Sequence, residues 1–309
     1  MILSCGEALI DMLPRTSSAG EPCFAPYAGG AVMNTAIALG RLGAPSGFLS
    51  GVSTDLFGDV LIQTLAASNV DTSLLIRSAR PTTLAFVKLT NGQASYAFYD
   101  ENTAGRMIHP SELPALPASV RAVFFGGISL VVEPGGATYQ ALMEREATSD
   151  RVLMIDPNIR PSFIADAAAY RARITRMMGL ADIVKLSDED LRWLEGAGEI
   201  PDLAMNLLKR GPKAVFVTEG AKGAHAFAAR HTTFVASRKV TVADTVGAGD
   251  TFNAGILAAL HRAGALTKAG VADASRELLD AALTLGARAA AVTVSRPGAN
   301  PPWEHELVD

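Results

Sequence analysis

Short apolar segments alternate with helical ones along most of the chain, and this alternation restricts the fold more than any single residue does. Residues 1–5, 46–52, 122–125, 152–155, 183–186 and 214–218 are brief apolar runs, as expected of strands buried on both faces. Helical periodicity fills the intervals. One helix opens at Gly29-Gly30 and runs to Leu42, with Val32, Ala36, Leu39 and Leu42 on its apolar face. Others are expected at 57–68, 134–147, 163–178, from 188, at 201–210 and at 272–292. Strands joined through helices form a mostly parallel sheet with helices on both faces. Such sheets bind ligands beyond the carboxyl ends of their strands. Asp11, Asp156, Lys185, Thr218 and Asp244 all stand at or just after expected strand ends, so they are candidates for one shared rim.

Two stretches break the rhythm. Residues 83–89 and 94–99 are β-prone and flank Asn91-Gly92, a strong hairpin signal. Residues 14–28 contain Pro14, Pro22 and Pro26 without helical period, which predicts a loop with a short strand ending near Tyr27. Segments 12–28 and 81–108 are therefore expected to make a small β lid. Segments 1–11, 29–80 and 109–309 are expected to make the core. Residues 224–228, 232–235 and 239–242 are expected as antiparallel strands. Residue 70 begins a further strand or extended piece that reaches 76.

Bulk properties exclude several function classes. A chain of 309 residues that is 49% hydrophobic can bury a large core with an appendage. Net charge is −4 and no basic tract suggests a nucleic-acid surface. Two cysteines, Cys5 and Cys23, do not make a disulfide framework. The first residues lack a basic start and a long apolar stretch, and no run of apolar residues suffices to span a membrane. A soluble, cytoplasmic protein is expected. The chain has no Gly-x-x-x-x-Gly-Lys-Ser/Thr, no Gly-x-Gly-x-x-Gly after its first strand and no Gly-x-Ser-x-Gly. Its histidines, at 109, 225, 231, 261 and 305, show no ligand spacing. His225 and His231 flank an expected turn and read as surface residues.

Residues 244–264 carry the densest chemistry. They begin as a glycine-bearing turn and continue as a helix in which Phe252, Ile256 and Leu260 form one apolar stripe, with Gly264 placed to stop it. A helix start presents unpartnered N–H groups and a dipole that favours anions. Gly247, Ala248 and Gly249 let an anion approach that backbone closely. Asp250 stands in the same turn, and a carboxylate inside an anion site suggests proton transfer beside a phosphoryl group. Phosphoryl transfer also suits a chain without covalent-catalysis motifs, because it needs mainly positioning and charge stabilisation.

The run Asp-Thr-Val-Gly-Ala-Gly-Asp-Thr-Phe at 244–252 resembles the second signature of the ribokinase-like (PfkB) carbohydrate kinases. The stretch from Gly29 to Asp59 resembles their first signature: Gly-Gly, Asn34, an Ala-x-x-Leu-x-x-Leu-Gly helix, then Gly-x-Ser-x-Asp-x-x-Gly-Asp. The resemblance covers nearly the whole chain. It implies an α/β core, a β lid, and ATP-dependent phosphorylation of a sugar. On it, Asp250 looks like the catalytic base, for which an ordinary pKa suffices if the hydroxyl loses its proton late, and Gly247, Ala248 and Gly249 like the anion hole. Asp11, Gly29, Gly30 and Asn34 resemble sugar-contacting positions. Thr218, Gly220 and Gly223 match the nucleotide loop, Lys185 and Ser187 lie where relatives approach ATP, and Asn253 is grouped with them. Magnesium is implied with ATP. Relatives that bind a monovalent cation such as potassium suggest Asp244, Thr245 and Ser295 as its neighbours. Ser187-Asp188-Glu189-Asp190 departs from the Asn-x-x-Glu that many relatives carry near the metal–phosphate network.

The segments Tyr96–Arg106 and Asp156–Arg160 look like bacterial fructokinases, and recur altered in 2-keto-3-deoxygluconate kinases. Phe98, Arg106 and Arg160 are the implied sugar contacts. The alternatives are a kinase of that keto acid, another sugar kinase of the family, or a non-catalytic sugar-binding protein. A small sheet with one bare face is marginal alone, so pairing of two lids in a homodimer is a further expectation.

Overall fold

The computed structural model of the chain describes residues 1–90 and 93–307. Its strands, in chain order, begin with β1 (Ile2–Cys5), β2 (Leu9–Thr16), β3 (Pro22–Gly29), β4 (Ser46–Leu49), β5 (Gly51–Ser53), β6 (Val70–Asp71) and β7 (Ile76–Ser78). There follow β8 (Leu84–Thr90), β9 (Gln93–Tyr99), β10 (Ala122–Gly126), β11 (Val152–Asp156), β12 (Ile183–Ser187), β13 (Ala214–Thr218), β14 (Gly223–Ala228) and β15 (Thr232–Ala236). The helices are α1 (Ala31–Arg41), α2 (Leu56–Ala67), α3 (Gly135–Glu146), α4 (Ala167–Leu180), α5 (Asp188–Glu195), α6 (Ile200–Leu208), α7 (Ala248–Arg262), α8 (Lys268–Ala272) and α9 (Arg276–Val294).

Among the described residues, nine strands form the central sheet in the order β15-β14-β13-β12-β11-β10-β1-β4-β6. From β13 to β6 every pairing is parallel, and β14 and β15 are added antiparallel. Alternate side chains serve opposite faces. Ile2, Phe124, Met154 and Phe216 pack with α1, α7 and α9 on one face, while Leu3, Phe125, Ile155 and Val217 pack with α3, α4 and α6 on the other. The parallel strands all end at one edge, as a strand–helix alternation requires.

The small sheet has the order β3-β2-β8-β9. β2 pairs antiparallel with β3 and parallel with β8. β8 and β9 pair antiparallel, as the Asn91-Gly92 hairpin signal requires, though that turn itself lies outside the described residues. The stretch 14–28, expected as a loop with a short strand ending near Tyr27, holds the end of β2 and a longer strand, β3, that runs on to Gly29. Prolines are tolerated here because β3 is an edge, and because β2 pairs with β8 only from Ile10 to Met12, leaving Pro14 beside one neighbour. The hairpin starts at Leu9, so Asp11 belongs to the small sheet rather than to the end of a core strand.

Three further expectations shift. The piece at 70–76 resolves into β6 and β7, the latter paired with β5 in a separate two-stranded sheet. Residues 239–242 form no strand: β-prone side chains alone do not make one without a neighbouring edge to pair with, and this segment is exposed loop. The helix expected from 163 begins at Ala167, where the Asp166 carboxylate accepts from the Ala169 amide and caps it. Cys5 and Cys23 are both free, the first buried in β1 and the second exposed on β3. No helix among the described residues is long and apolar enough to cross a membrane.

Candidate active site

Helix α7 starts where the parallel strands end. Gly247 precedes it in the left-handed region, φ 78°, and a Cβ there would also stand 2.8 Å from the Ala299 Cβ. Only glycine meets both demands. The first intrahelical bond of the turn runs from the Thr251 amide to the Gly247 carbonyl at 2.9 Å, so the Gly249 and Asp250 amides belong to the donors that a helix start leaves unpartnered. From Asp250 to Leu260 every residue of α7 is buried. The expected stripe of Phe252, Ile256 and Leu260 is therefore one part of a helix enclosed on all sides. α9 crosses it so closely that a side chain on Gly255 would run into the backbone of Gly286.

Asp250 is 7% exposed. Its Oδ2 accepts from Asn34 Nδ2 at 2.9 Å, and its carbonyl accepts from Thr35 Oγ1 at 3.2 Å, so α1 fixes it from two directions. Burial lifts its carboxyl from 3.8 to about 7, with help from the charges of Asp156 and Glu7 and against the Asn34 hydrogen bond and Lys185. An acid of ordinary pKa would suffice for a late proton transfer, but this enclosure, which no motif shows, holds Asp250 poised near neutrality.

Behind the helix start lies a buried ionic network. Asp156, at the end of β11, is 2% exposed. Its Oδ2 accepts from Lys185 Nζ at 2.9 Å and from Asn253 Nδ2 at 2.7 Å. Lys185 reaches across from the neighbouring strand β12, is 5% exposed, and lies so close to the anion turn that a Cβ on Gly249 would be 3.2 Å from its Nζ. Asp190 accepts from the Ile159 amide at 3.2 Å, and burial followed by the charge of Asp156 raises it to about 6. The Asn253 Oδ1 is buried without a hydrogen-bond donor. Lys185 and Asn253, expected beside the nucleotide, do not line the cleft of Thr218, Gly220 and Gly223 described below. Asn253 lies one turn beyond Asp250 on the same inward face. Ser187 is absent from that cleft too: its hydroxyl accepts from the Asp190 amide at 3.0 Å and caps α5.

On the opposite side, Asp11 lies over Gly29, leaving no room there for a side chain. Burial raises its carboxyl to about 6. Gly30 precedes α1 at φ 106°, and Asn34 follows one turn later. Phe98 and Arg106 share a cavity of about 550 Å³ with Phe163, Tyr170 and Arg173. Phe98 meets Phe163 edge-on at 4.6 Å. Arg106 is already engaged, donating to Asp100 Oδ1 and to the Glu133 carbonyl, each at 3.1 Å. Arg160 does not line this cavity; it is exposed and donates to the Ile159 carbonyl at 3.0 Å.

A second cavity, of about 500 Å³, opens on the other flank of the α7 start. Thr218, Gly220 and Gly223, the residues matched to the nucleotide loop, line it together with Ala248 and Gly249. The tight turn after β13 is closed by the Glu219 amide on the Gly223 carbonyl at 2.8 Å, with Gly220 at φ 52°. Two walls went unread in the sequence. One is the small-residue face of α9, Ala287, Ala290, Ala291 and Val294. Its signal, a spacing of three, four and seven, was indistinguishable from core. The other is the loop carrying Arg238, Lys239 and Val240.

The suggested cation neighbours do not converge as side-chain ligands. Asp244 accepts from the Val246 amide at 3.0 Å and the Gly298 amide at 2.9 Å, Ser295 donates to the Val292 carbonyl at 2.7 Å, and Thr245 is exposed. His225 is half-buried within β14 rather than at a surface turn, with Nε2 2.8 Å from Glu219 Oε2. Among the described residues no group of three or more His, Cys, Asp or Glu could hold a metal ion.

The chain was compared with known proteins. A model of the "pfkB family carbohydrate kinase" matches residues 1–306. A fructokinase of Rhizobium leguminosarum bv. trifolii is 56% identical over 90% of this chain and 85% of its own. A crystal structure of fructokinase with bound ATP from Xylella fastidiosa superposes with a TM-score of 0.88 at 28% identity, covering 99% of this chain and 97% of that one. A fructokinase from Vibrio cholerae O395, in a form with fructose, ADP and calcium ion bound, gives a TM-score of 0.81 at 26% identity over 96% of this chain and 94% of that one.

Proposed function

This chain belongs to the pfkB family of carbohydrate kinases, and from that premise we propose that it is a fructokinase, with Asp250 as its base. It is an ATP-dependent sugar kinase. The preference for fructose rests on the 56% identity to a fructokinase. The observation that carries the chemistry is the position of Asp250, buried in the first turn of α7 between the nucleotide cleft and the Asp11–Asn34 side.

ATP would lie in the cleft under the 219–223 turn, its base against the alanine face of α9 and its phosphates toward the start of α7. Magnesium, brought with ATP rather than held by a carboxylate cluster among the described residues, would supply positive charge against the phosphates. Fructose would lie under the small sheet, held by Asp11, Asn34 and the Gly29-Gly30 backbone, with Phe98, Arg106 and Arg160 at its outer side. As the sugar hydroxyl attacks the γ-phosphorus, the bond to the ADP oxygen breaks and the hydroxyl proton passes to Asp250. The Gly249 and Asp250 amides hold the charge on the transferring group, and the Lys185 ammonium below Gly249 adds to that field. Pairing of two small sheets would cover Phe24, Tyr27 and Tyr99, which are exposed.

An ADP-release assay across fructose, ribose, 2-keto-3-deoxygluconate and adenosine tests the reading. Fructose is expected to give the highest kcat/KM. Turnover of another substrate with none of fructose would overturn the assignment.

A further inference from the structure

Resting on that reading, we propose that Glu7 is a positioning residue for the sugar half of the site, a single carboxylate that caps two helix starts at once and so sets where Asn34 and Gly30 stand. Glu7 follows β1 and is 9% exposed. Its Oε1 accepts from the Val32 amide at 3.4 Å, and its Oε2 accepts from the Ser129 amide at 3.1 Å. Val32 is in the first turn of α1. Ser129 is in the short 3-10 turn 128–130 that follows β10. Both turns begin at a glycine, Gly30 and Gly127, that offers no side-chain cap of its own. The carboxylate supplies from one place what neither turn has locally.

Two backbone features make room for it. A side chain on Gly127, φ 67°, would collide with the Glu7 carboxylate. A Cβ on Gly30 would stand 2.8 Å from the Glu7 carbonyl. Both glycines therefore hold the left-handed backbone and the close approach that Glu7 needs.

The lever is short. Gly30, two residues before Val32, is a proposed sugar contact. Asn34, two residues after it, donates to Asp250. The chain that leaves Glu7 enters β2, where Asp11 lies over Gly29. All these proposed sugar groups are thus anchored within a few residues of one buried acid. That acid touches nothing on the nucleotide side, where Thr218, Gly220 and the alanine face belong to other elements.

The test uses the whole enzyme with Glu7→Gln, which keeps size and one oxygen acceptor, and Glu7→Ala, which removes both. Initial rates are measured with fructose and MgATP varied separately, and melting is followed with each substrate alone. For Glu7→Gln, kcat/KM for fructose is expected to fall by about 10–10²-fold, the scale of a small misplacement of reacting groups. The KM for ATP should stay within about twofold, and the ATP-induced rise in melting temperature should persist while the fructose-induced rise shrinks. Glu7→Ala should be worse in the same direction. A Glu7→Gln enzyme with normal fructose constants overturns the proposal, and so does a uniform loss in which both substrates suffer alike. Should Glu7→Ala not fold, Glu7→Gln alone decides. A wild-type chain inactive on every sugar is a failure of the fructokinase reading instead. If wild type prefers another sugar, the same split is read with that sugar.

Discussion

On one flank of the α7 start the cleft is walled by Ala287, Ala290, Ala291 and Val240, with Arg238 and Lys239 on its loop; behind that start lie the buried acids Asp250, Asp156, Asp190 and Glu7 with Lys185 among them. The first offers an apolar shape with two cations on its loop, and its alanine face could change with little consequence for the chemistry. The second is a polar network in a low-dielectric setting, where each partner's loss leaves another charge or amide unsatisfied. The lesson is that ATP should be a matter of affinity and the sugar side a matter of rate.

Predictions follow from pushing on each flank in turn. Asp250→Asn should cut kcat by about 10²–10⁴-fold while ATP and fructose still bind, measured by turnover and calorimetry; near-normal kcat would remove Asp250 from the base role. Lys185→Met should lower kcat by about 10²–10³-fold, the scale of losing one charge-stabilising donor, with the KM for ATP little changed. Phenylalanine at Ala290 should do the reverse, raising the KM for ATP roughly tenfold, about 1.4 kcal/mol, at nearly constant kcat. If both variants moved kcat alike, the contrast between the flanks would fail.

Acidity sharpens the same contrast. The base must be ionised, so kcat/KM should rise with pH until about 7 and then level off, with the limb set by Asp250. Folding runs the opposite way. The folded state holds that proton more tightly than an unfolded chain does, so its contribution to stability is fully present below about 4 and is lost as pH rises through about 7. Asp250→Asn should therefore melt about 2–4 °C above wild type at pH 8 and show no such gain at pH 4. The smallest effect is expected of Ser187→Ala. It should lose about 1 kcal/mol of stability with the α5 cap, and its KM for ATP should shift by less than about twofold, because Ser187 lies outside the cleft; a large rise would return it to the nucleotide.

The strand–helix alternation and the helix start at 247–250 were legible because each rests on local signals: apolar runs, helical period, and glycines with one acid in a fixed spacing. The Thr218–Gly223 loop was legible for the same reason. What escaped depends on distant partners. Glu7 reads as a lone acid after a strand, and only the folded chain brings Val32 and Ser129 to it. Lys185 was assigned by resemblance, while its partner Asp156 comes from the adjacent strand. The full length of β3 was hidden by its prolines, which are tolerated because β3 is the edge of its sheet. Residues 239–242 misled in the opposite sense, with strand-like composition and no edge to join.

The small sheet is stitched from two stretches of chain, Leu9–Gly29 and Leu84–Tyr99, held together by the three-residue parallel pairing of Ile10–Met12 with Leu84–Phe86. The first hairpin emerges early in synthesis and must wait for its partner until the intervening core segments exist. Closing that loop carries an entropic cost that local contacts do not offset. The small sheet should thus form late and open first. In native-state hydrogen exchange, the amides of β8 should lose protection at lower free energy than those of β10 to β13, so the proposed cover of the sugar is also the part most readily released.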